Sequence, residues 1–391
     1  NCIFDFKMKS EIFAEVAELR KELHKIAELS GKEEQTAQFV IHELEKTNPT
    51  AIHHPIGSHG IVATYESAKE GPHLVFRSEL DALPIQEINS FEHRSLTDGV
   101  SHKCGHDGHM SILLGLAKHL SQNPIQKGKV SLLFQPAEEN GEGAADMLNS
   151  GRISDFEPID QFYSLHNIPG HPKHQIHCRE GIFTPHVISL ELKLDGKESH
   201  AAEPENGINP ATAIAEIIQG LNELQMLEKD SMEFKLITPV FIDMGKVWYG
   251  ISAGHATLGF TLRTWDTAVM RELQKNVLLL VEDIAAKYNI QLSSRYFEEF
   301  NSIVNDKVAS NHIQEAASDL DLDFVRMPYP MNWGEDYGLF TQKYSGAMFA
   351  LGSGENVPAL HNPDYDFPDE IAETGIQMFS RIISKHGLFE G

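Results

Sequence analysis

Nine consecutive residues, Ser101-His102-Lys103-Cys104-Gly105-His106-Asp107-Gly108-His109, hold one thiol, three imidazoles and one carboxylate. Thiolate and neutral imidazole are the donors that borderline-soft divalent metals prefer. The stretch therefore reads as half of a metal centre. Groups that could supply the other half are scattered: Asp81, the adjacent pair Glu138 and Glu139, His166 and His361. Singly, each has an ordinary explanation. A lone histidine packs or faces solvent, an adjacent acid pair is solvated, and an acid before a proline shapes a turn. Their shared placement argues otherwise, because each follows a short apolar run of strand type. In open α/β sheets ligands bind beyond the carboxyl ends of the strands. A charge buried there is costly unless it is paired or metal-bound.

The elements that must position these groups follow from periodicity. Ile112, Leu113, Leu116, Ala117 and Leu120 recur at spacings of three and four, so the Cys-His stretch opens a helix. Ile61–Tyr65, Leu74–Phe76, Val130–Phe134, Phe162–Leu165 and Ala347–Leu351 are short, nearly continuous apolar runs, the mark of strands buried on both faces. Glu138 and Glu139 would point to opposite faces of a regular strand. Both reach one cleft only if the strand has ended, which Pro136 allows. Helices are expected over Met8–Leu29, Glu33–Lys46, Asp306–Leu320 and Asp369–Lys385.

The pattern changes near Thr184. Ile188, Leu190, Leu192 and Leu194 alternate, as in a strand with one wet face. A helix over Asn209–Leu227, strands over Phe234–Val247 and His255–Trp265, a helix over Thr267–Lys287 and a strand over Gln291–Glu299 complete a β-α-β-β-α-β order. That is the split unit of a ferredoxin-like domain. The fold class is α/β: a discontinuous catalytic domain with a mostly parallel sheet (residues 1–184 and 301–391), interrupted by an α+β domain at 185–300.

Composition excludes several classes. With 32 Lys and Arg against 57 Asp and Glu, the formal charge is −25, which argues against nucleic acid and anionic membranes as partners. No apolar run approaches the roughly 20 residues of a membrane span. The first seven residues lack the basic start of a signal peptide. Three cysteines, Cys2, Cys104 and Cys178, do not make a disulfide framework and suit a reducing compartment, so the cytoplasm is expected. His171, His174 and His177 recur every third residue around Pro172 and read as a surface loop.

Leu80-Asp81-Ala82-Leu83-Pro84, Cys104-Gly105-His106-Asp107-Gly108-His109, Gln135-Pro136-Ala137-Glu138-Glu139, Ser199-His200-Ala201-Ala202 and Leu360-His361-Asn362-Pro363 together span most of the chain. In these motifs the sequence resembles the amidohydrolase branch of the aminoacylase and carboxypeptidase G superfamily, which includes hippurate hydrolases and indole-acetyl-amino-acid hydrolases. The resemblance implies two divalent ions per subunit, Zn, Mn, Co or Ni, held by Cys104, His106, Glu139, His166 and His361 with Cys104 shared. It implies Glu138 as general base and Asp81 as the group that orients a ligand. It also implies that the inserted domain is a lid and dimerisation domain, that the protein is a homodimer or higher homo-oligomer, and that His200 on the lid stabilises an oxyanion. Arg263, on the face opposite Leu258, Phe260 and Leu262, would take a substrate carboxylate or form a surface ion pair. Gly250 stands where the family usually carries Asn, which implies different recognition there or a shifted alignment. Tyr329–Trp333 lines a substrate pocket or is simply a packed loop.

The expected chemistry is cleavage of the amide of an N-acyl or N-aroyl amino acid by a metal-bridging water. A dipeptidase or carboxypeptidase with the same site, and a metal-dependent binding protein without catalysis, are the alternatives.

Overall fold

A computed structural model describes residues 10–389. Cys2, the first seven residues, and Met8 with Lys9 at the expected start of the first helix lie outside the described residues. Two compact units result. One comprises the described residues up to Phe183, then Ile303–Pro328 and the chain from Asp336 onward; the other comprises Thr184–Ser302 and Tyr329–Glu335.

The first unit is built on an eight-stranded sheet. Its order is Ala51–Ile56, Gly60–Glu66, Lys129–Gln135, His73–Glu79, Gln161–Pro169, Gly346–Gly354, Ile176–Cys178 and Phe324–Arg326. The four middle strands, Lys129–Gln135 through Gly346–Gly354, run parallel. Their residues are buried on both faces, which is why the sequence shows apolar runs there rather than alternation. Helix His106–Gln122 is buried almost throughout, and Met110, Leu113, Leu116 and Ala117 join the central core with Val16, Phe379 and Ile376. Truncating Leu116 to Ala would cost about 2–5 kcal/mol by loss of transfer energy and the cavity left behind.

Several differences from sequence expectation have local causes. The third middle strand continues to Pro169, because Ala350, Leu351 and Gly352 keep pairing with His166, Asn167 and Ile168. His166 thus lies inside a strand rather than after one. Strand Ala51–Ile56 has no apolar periodicity of its own and exists through antiparallel pairing with Gly60–Glu66. His177 is not in a surface loop. It belongs to the short strand Ile176–Cys178, is buried, and bonds through Nε2 to Gln175 Oε1 at 2.7 Å. No described helix is long and apolar enough to cross a membrane.

The second unit carries a four-stranded antiparallel sheet, ordered Lys235–Met244, His255–Thr264, His186–Asp195, Gln291–Phe300. Helices Ala211–Glu223 and Thr267–Lys287 supply Ile217, Leu221, Val277 and Val281 to a core with Leu190, Leu192, Leu258 and Phe260. The longer helix is capped by Asp266, whose carboxylate accepts from Ala268 N at 2.7 Å and Val269 N at 3.3 Å. Such a cap contributes about 1 kcal/mol.

Candidate metal centre

In the first unit, Asp81 lies two residues past strand His73–Glu79, and Glu138 and Glu139 follow strand Lys129–Gln135. His166 sits on strand Gln161–Pro169, and His361 follows strand Gly346–Gly354. Those are four adjacent parallel strands, so the chain's direction alone brings the groups to one end of the sheet. The strand before the glutamates does end early, at Gln135, and Ala137 takes a left-handed φ of 51°. Glu138 and Glu139 both come within 3.8 Å of His106 Nε2 as a result.

Cys104 and His106 flank Gly105, which adopts φ 95° immediately before the helix. A Cβ there would meet Asn167 Oδ1 at 2.4 Å, so the turn that presents the thiol and the imidazole requires glycine. Donor atoms of Cys104, His106 and His166 lie within 4.8 Å of one another, and so do those of Cys104, Glu139 and His361. The two trios share the thiol. Cys104 Sγ is 3.5 Å from His166 Nε2, and His361 Nε2 is 3.7 Å from Glu139 Oε2. Cys104, His106 and His166 are buried, Glu139 is partly so, and the His361 side chain is about half exposed, 52%. Backbone ties the distant His361 to the loop: its N–H donates to the Lys103 carbonyl at 2.8 Å.

Which imidazoles could hold an ion follows from where each ring is already engaged. His106 Nδ1 bonds the Asp81 carbonyl at 2.9 Å and lies 3.3 Å from its carboxylate, while Nε2 is buried without a hydrogen-bond partner among the described residues. His166 Nδ1 bonds the Asn167 carbonyl at 2.8 Å, which turns Nε2 toward Cys104. One nitrogen anchored and the other presented is the arrangement of a metal-ligating histidine. His109 differs. Its Nδ1 meets Glu79 Oε2 at 2.7 Å and its Nε2 meets Asn167 Oδ1 at 2.6 Å, so both nitrogens are spent on structure.

Electrostatics tell the same story. Burial raises the Cys104 thiol well above its ordinary range, and the nearby Glu139 and Glu138 carboxylates push it further. Burial alone would lower His106, but Asp81, Glu79 and Glu139 outweigh it and lift the ring to about 10. A thiol and an imidazole that both hold their protons beside carboxylates report a surplus of negative charge. The pocket is short of positive charge, and a divalent cation that displaces those protons fits it. The orphaned His106 Nε2 and the mixed thiol, imidazole and carboxylate donor set suit such an ion.

Sequence reasoning did not single out the groups that hold the site together. Ser30 donates to Asp81 Oδ2 at 2.7 Å, and Glu139 N donates to the same oxygen at 3.0 Å. Glu33 accepts from Ala137 N at 2.8 Å and so secures the turn that delivers both glutamates. Burial, then the Asp81 charge, raises Glu33 to about 7. Glu79 gave one legible signal, an acid in a strand that begins with the apolar run Leu74-Val75-Phe76. Nothing local marks Glu33, which lies just before a helix about a hundred residues upstream.

His200 and Arg263 belong to the second unit. His200 is exposed on a two-residue strand paired with Ile251–Ser252, and its Nδ1 accepts from Ala202 N at 3.1 Å. In the neutral ring this leaves the proton on Nε2, facing away from the backbone. Arg263 is half-buried, and its Nη1 donates to Thr261 Oγ1 at 2.8 Å.

Comparison with known proteins bears on this geometry. The model of peptidase family M20/M25/M40 matches residues 75–385. The chain is 29% identical over 365 residues to N-acetylcysteine deacetylase of Bacillus subtilis (strain 168), covering 93% of this chain and 94% of that one. It is 30% identical over 338 residues to N-acetyldiaminopimelate deacetylase of Geobacillus thermodenitrificans (strain NG80-2), covering 85% and 88%. Among solved structures, the Bacillus subtilis YXEP protein, a dinuclear metal binding peptidase from the M20 family, superimposes with a TM-score of 0.80 at 27% identity, covering 96% and 98%.

Proposed function

The chain belongs to peptidase family M20/M25/M40 and is a metal-dependent hydrolase of amide bonds; from that premise we propose that its substrates are N-acyl or N-aroyl amino acids. The observation that carries the reading is the pair of donor trios sharing Cys104, with Glu138 beside them. We assign Cys104, His106, Glu139, His166 and His361 to two divalent ions. The relatives named above act on N-acetyl amino acids, which supports an acyl-amino-acid substrate. The motifs' resemblance to hippurate and indole-acetyl-amino-acid hydrolases, a branch that the relatives named above do not represent, is what extends the proposal to aromatic acyl groups.

An amide is a poor electrophile with a poor leaving group. Two divalent ions held by these residues would supply Lewis acidity, acidifying a water and polarising the carbonyl. Glu138 then takes the proton of the attacking water and returns it to the departing amine. Asp81 keeps His106 in the tautomer whose Nε2 is open. His200, with its Nε2 proton available, donates to the oxyanion, and Arg263 pairs with the substrate carboxylate. The protein works as a homodimer, a reading supported by the open sheet edge at Lys235–Met244. There Val240, Phe241, Ile242 and Met244 are exposed, followed by Val247, Trp248 and Tyr249. A long apolar edge strand calls for a partner.

Substituting Glu138→Gln tests the mechanism. Metal content is expected to stay normal while kcat falls about 10²–10⁴-fold. Turnover intact at full metal occupancy would remove Glu138 as the base. The resemblance to a solved peptidase favours dipeptide cleavage as the second reading. A panel of N-acetyl, N-benzoyl and N-indolylacetyl amino acids run beside dipeptides decides between them.

A further inference from the structure

The turn that carries Glu138 and Glu139 leaves its strand at Gln135 and ends where the short helix Gly143–Asn149 begins. Its two ends touch. Gly143 N donates to the Ala137 carbonyl at 2.9 Å, and a Cβ on Gly143 would stand 1.6 Å from the Pro136 oxygen. One buried carboxylate bonds both ends. Asp336 accepts from the Gln135 side-chain amide on Oδ1 at 2.7 Å and on Oδ2 at 2.8 Å, and from Ala144 N on Oδ2 at 2.9 Å. Arg77 backs this clamp. Its Nη2 donates to Asp336 Oδ1 at 3.0 Å, its Nε donates to Gln135 Oε1 at 2.9 Å, and its Nη1 meets Glu79. Asp336, Gln135 and Arg77 are all buried, and all belong to the first unit. Asp336 is also a neighbour of Glu138, with carboxylate oxygens of the two within 4.8 Å. Glu33 and Asp81 hold the middle of the turn, at Ala137 N and Glu139 N; Asp336 holds its ends.

We propose that Asp336 is a positioning residue for the general base: by clamping both ends of the turn it fixes where Glu138 stands, and so it sets kcat rather than the affinity for metal or substrate. The proposal rests on the reading of Glu138 as the base. Loop backbone is mobile unless something holds it, and a reacting group displaced by about 1 Å can lose about 10²-fold in rate. A carboxylate is suited to the task, because it is acceptor-only and can serve several donors at once. Hydrogen bonds to an ionised group are also shorter and stronger than neutral ones. Arg77 supplies the positive charge without which a carboxylate buried this deeply would be costly.

The test uses the full chain with the metal that supports its activity and the most rapidly cleaved member of the substrate panel above. Asp336→Asn keeps the volume of the side chain, but either orientation of its amide turns an NH2 toward donors that now meet oxygen. The kcat per folded chain is expected to fall about 10–100-fold, while KM stays within about twofold and metal content is unchanged. Gln135→Met removes the amide link and leaves the Arg77–Asp336 pair; it serves if the first variant does not fold, and should lower kcat several-fold. In the Glu138→Gln background either substitution should lower the residual rate by less than about twofold, because the group it positions has lost its function. Hydrogen exchange of the backbone over 137–144 should quicken at least about tenfold in both variants, with or without metal. A loss confined to KM or to metal content, an equal factor in both backgrounds, or unchanged exchange over the turn would overturn the assignment. Full turnover by Glu138→Gln removes the base and the proposal with it. An inactive Glu138→Gln beside an unimpaired Asp336→Asn removes the positioning role alone and leaves the hydrolase reading intact.

Discussion

Two clusters of buried polar groups meet at the Cys104–His109 loop, and they differ in how their charges are balanced. On one side, Asp107 accepts from His24 Nδ1 at 2.7 Å and lies 3.5 Å from Arg20. Arg20 also reaches Asp366 and Asp369, each at 2.7 Å. Lys103 meets Glu87 at 2.5 Å and the Tyr365 carbonyl at 2.8 Å, and Glu87 returns to His24 at 3.1 Å. Cation and anion alternate there, and the contacts are of hydrogen-bond length. On the other side, His106 Nε2 lies 3.8 Å from both Glu138 and Glu139, and His361 Nε2 lies 3.7 Å from Glu139, longer than hydrogen bonds between those atoms. The first cluster is closed by protein contacts except at one buried oxygen, Asp107 Oδ1. The second leaves His106 Nε2 without a hydrogen-bond partner among the described residues, and in the function proposed above cations complete it. Neighbouring residues of one loop serve both: Asp107 braces the back, and His106 presents to the front.

The comparison can be broken in order of expected effect. Cys104→Ala removes the atom that both donor trios share. Metal content by emission spectrometry should fall, and turnover should drop about 10³-fold or more, since bound ions supply several kcal/mol of transition-state stabilisation. Full metal content in that variant would end the shared-ligand reading. A chelator should likewise abolish activity, with recovery on adding Zn, Mn or Co. Saturating the apo protein with the recovering ion at 100 times its Kd should add about 2.7 kcal/mol to stability in a denaturant titration.

Substitutions behind the loop should act on stability rather than on metal. Arg20→Met leaves buried carboxylates short of a cation and should cost about 3–5 kcal/mol, read as a lowered midpoint in urea. Metal binding per folded molecule should persist; its loss would show that the two clusters are not separable. The back cluster also predicts a pH dependence. Burial alone would lower His24, but Asp107 and Glu87 outweigh it and raise the ring to about 9 from an ordinary 6.5. A raised folded-state value means the stabilisation is fully present below about pH 6.5 and fades as pH rises through 9. Thermal melts across that window, with His24→Gln as comparison, should show the slope in the parent and a flatter profile in the variant. The smallest effect should come from Lys118→Ala, which breaks the 2.8 Å exposed pair with Glu15 and should cost no more than about 1 kcal/mol.

Much of this was legible because it is local. Donor chemistry, the break after Gln135 and the alternation from Ile188 are written in adjacent residues, and the helix over Thr267–Lys287 falls where its apolar spacing places it. Other features escaped because their cause lies elsewhere in the chain. Strand Ala51–Ile56 forms only against its hairpin partner. Asn167 is held by His109, 58 residues earlier, and by Tyr365, 198 residues later. Tyr329–Glu335 belongs to the second unit, although the chain reaches it long after leaving that unit at Ser302.

By itself the sequence determined which atoms are available: one thiol and several imidazoles of metal-binding type, carboxylates at strand ends, and two separate periodicities for two units. Side-chain identity and backbone periodicity are properties of short stretches, so they survive being read one residue at a time. Tertiary structure decided which of those atoms are used. His106 and His109 are three residues apart and chemically identical, yet one ring keeps a nitrogen open and the other does not. The difference is that Asp81 engages only one side of His106, whereas Glu79 and Asn167 close on both sides of His109.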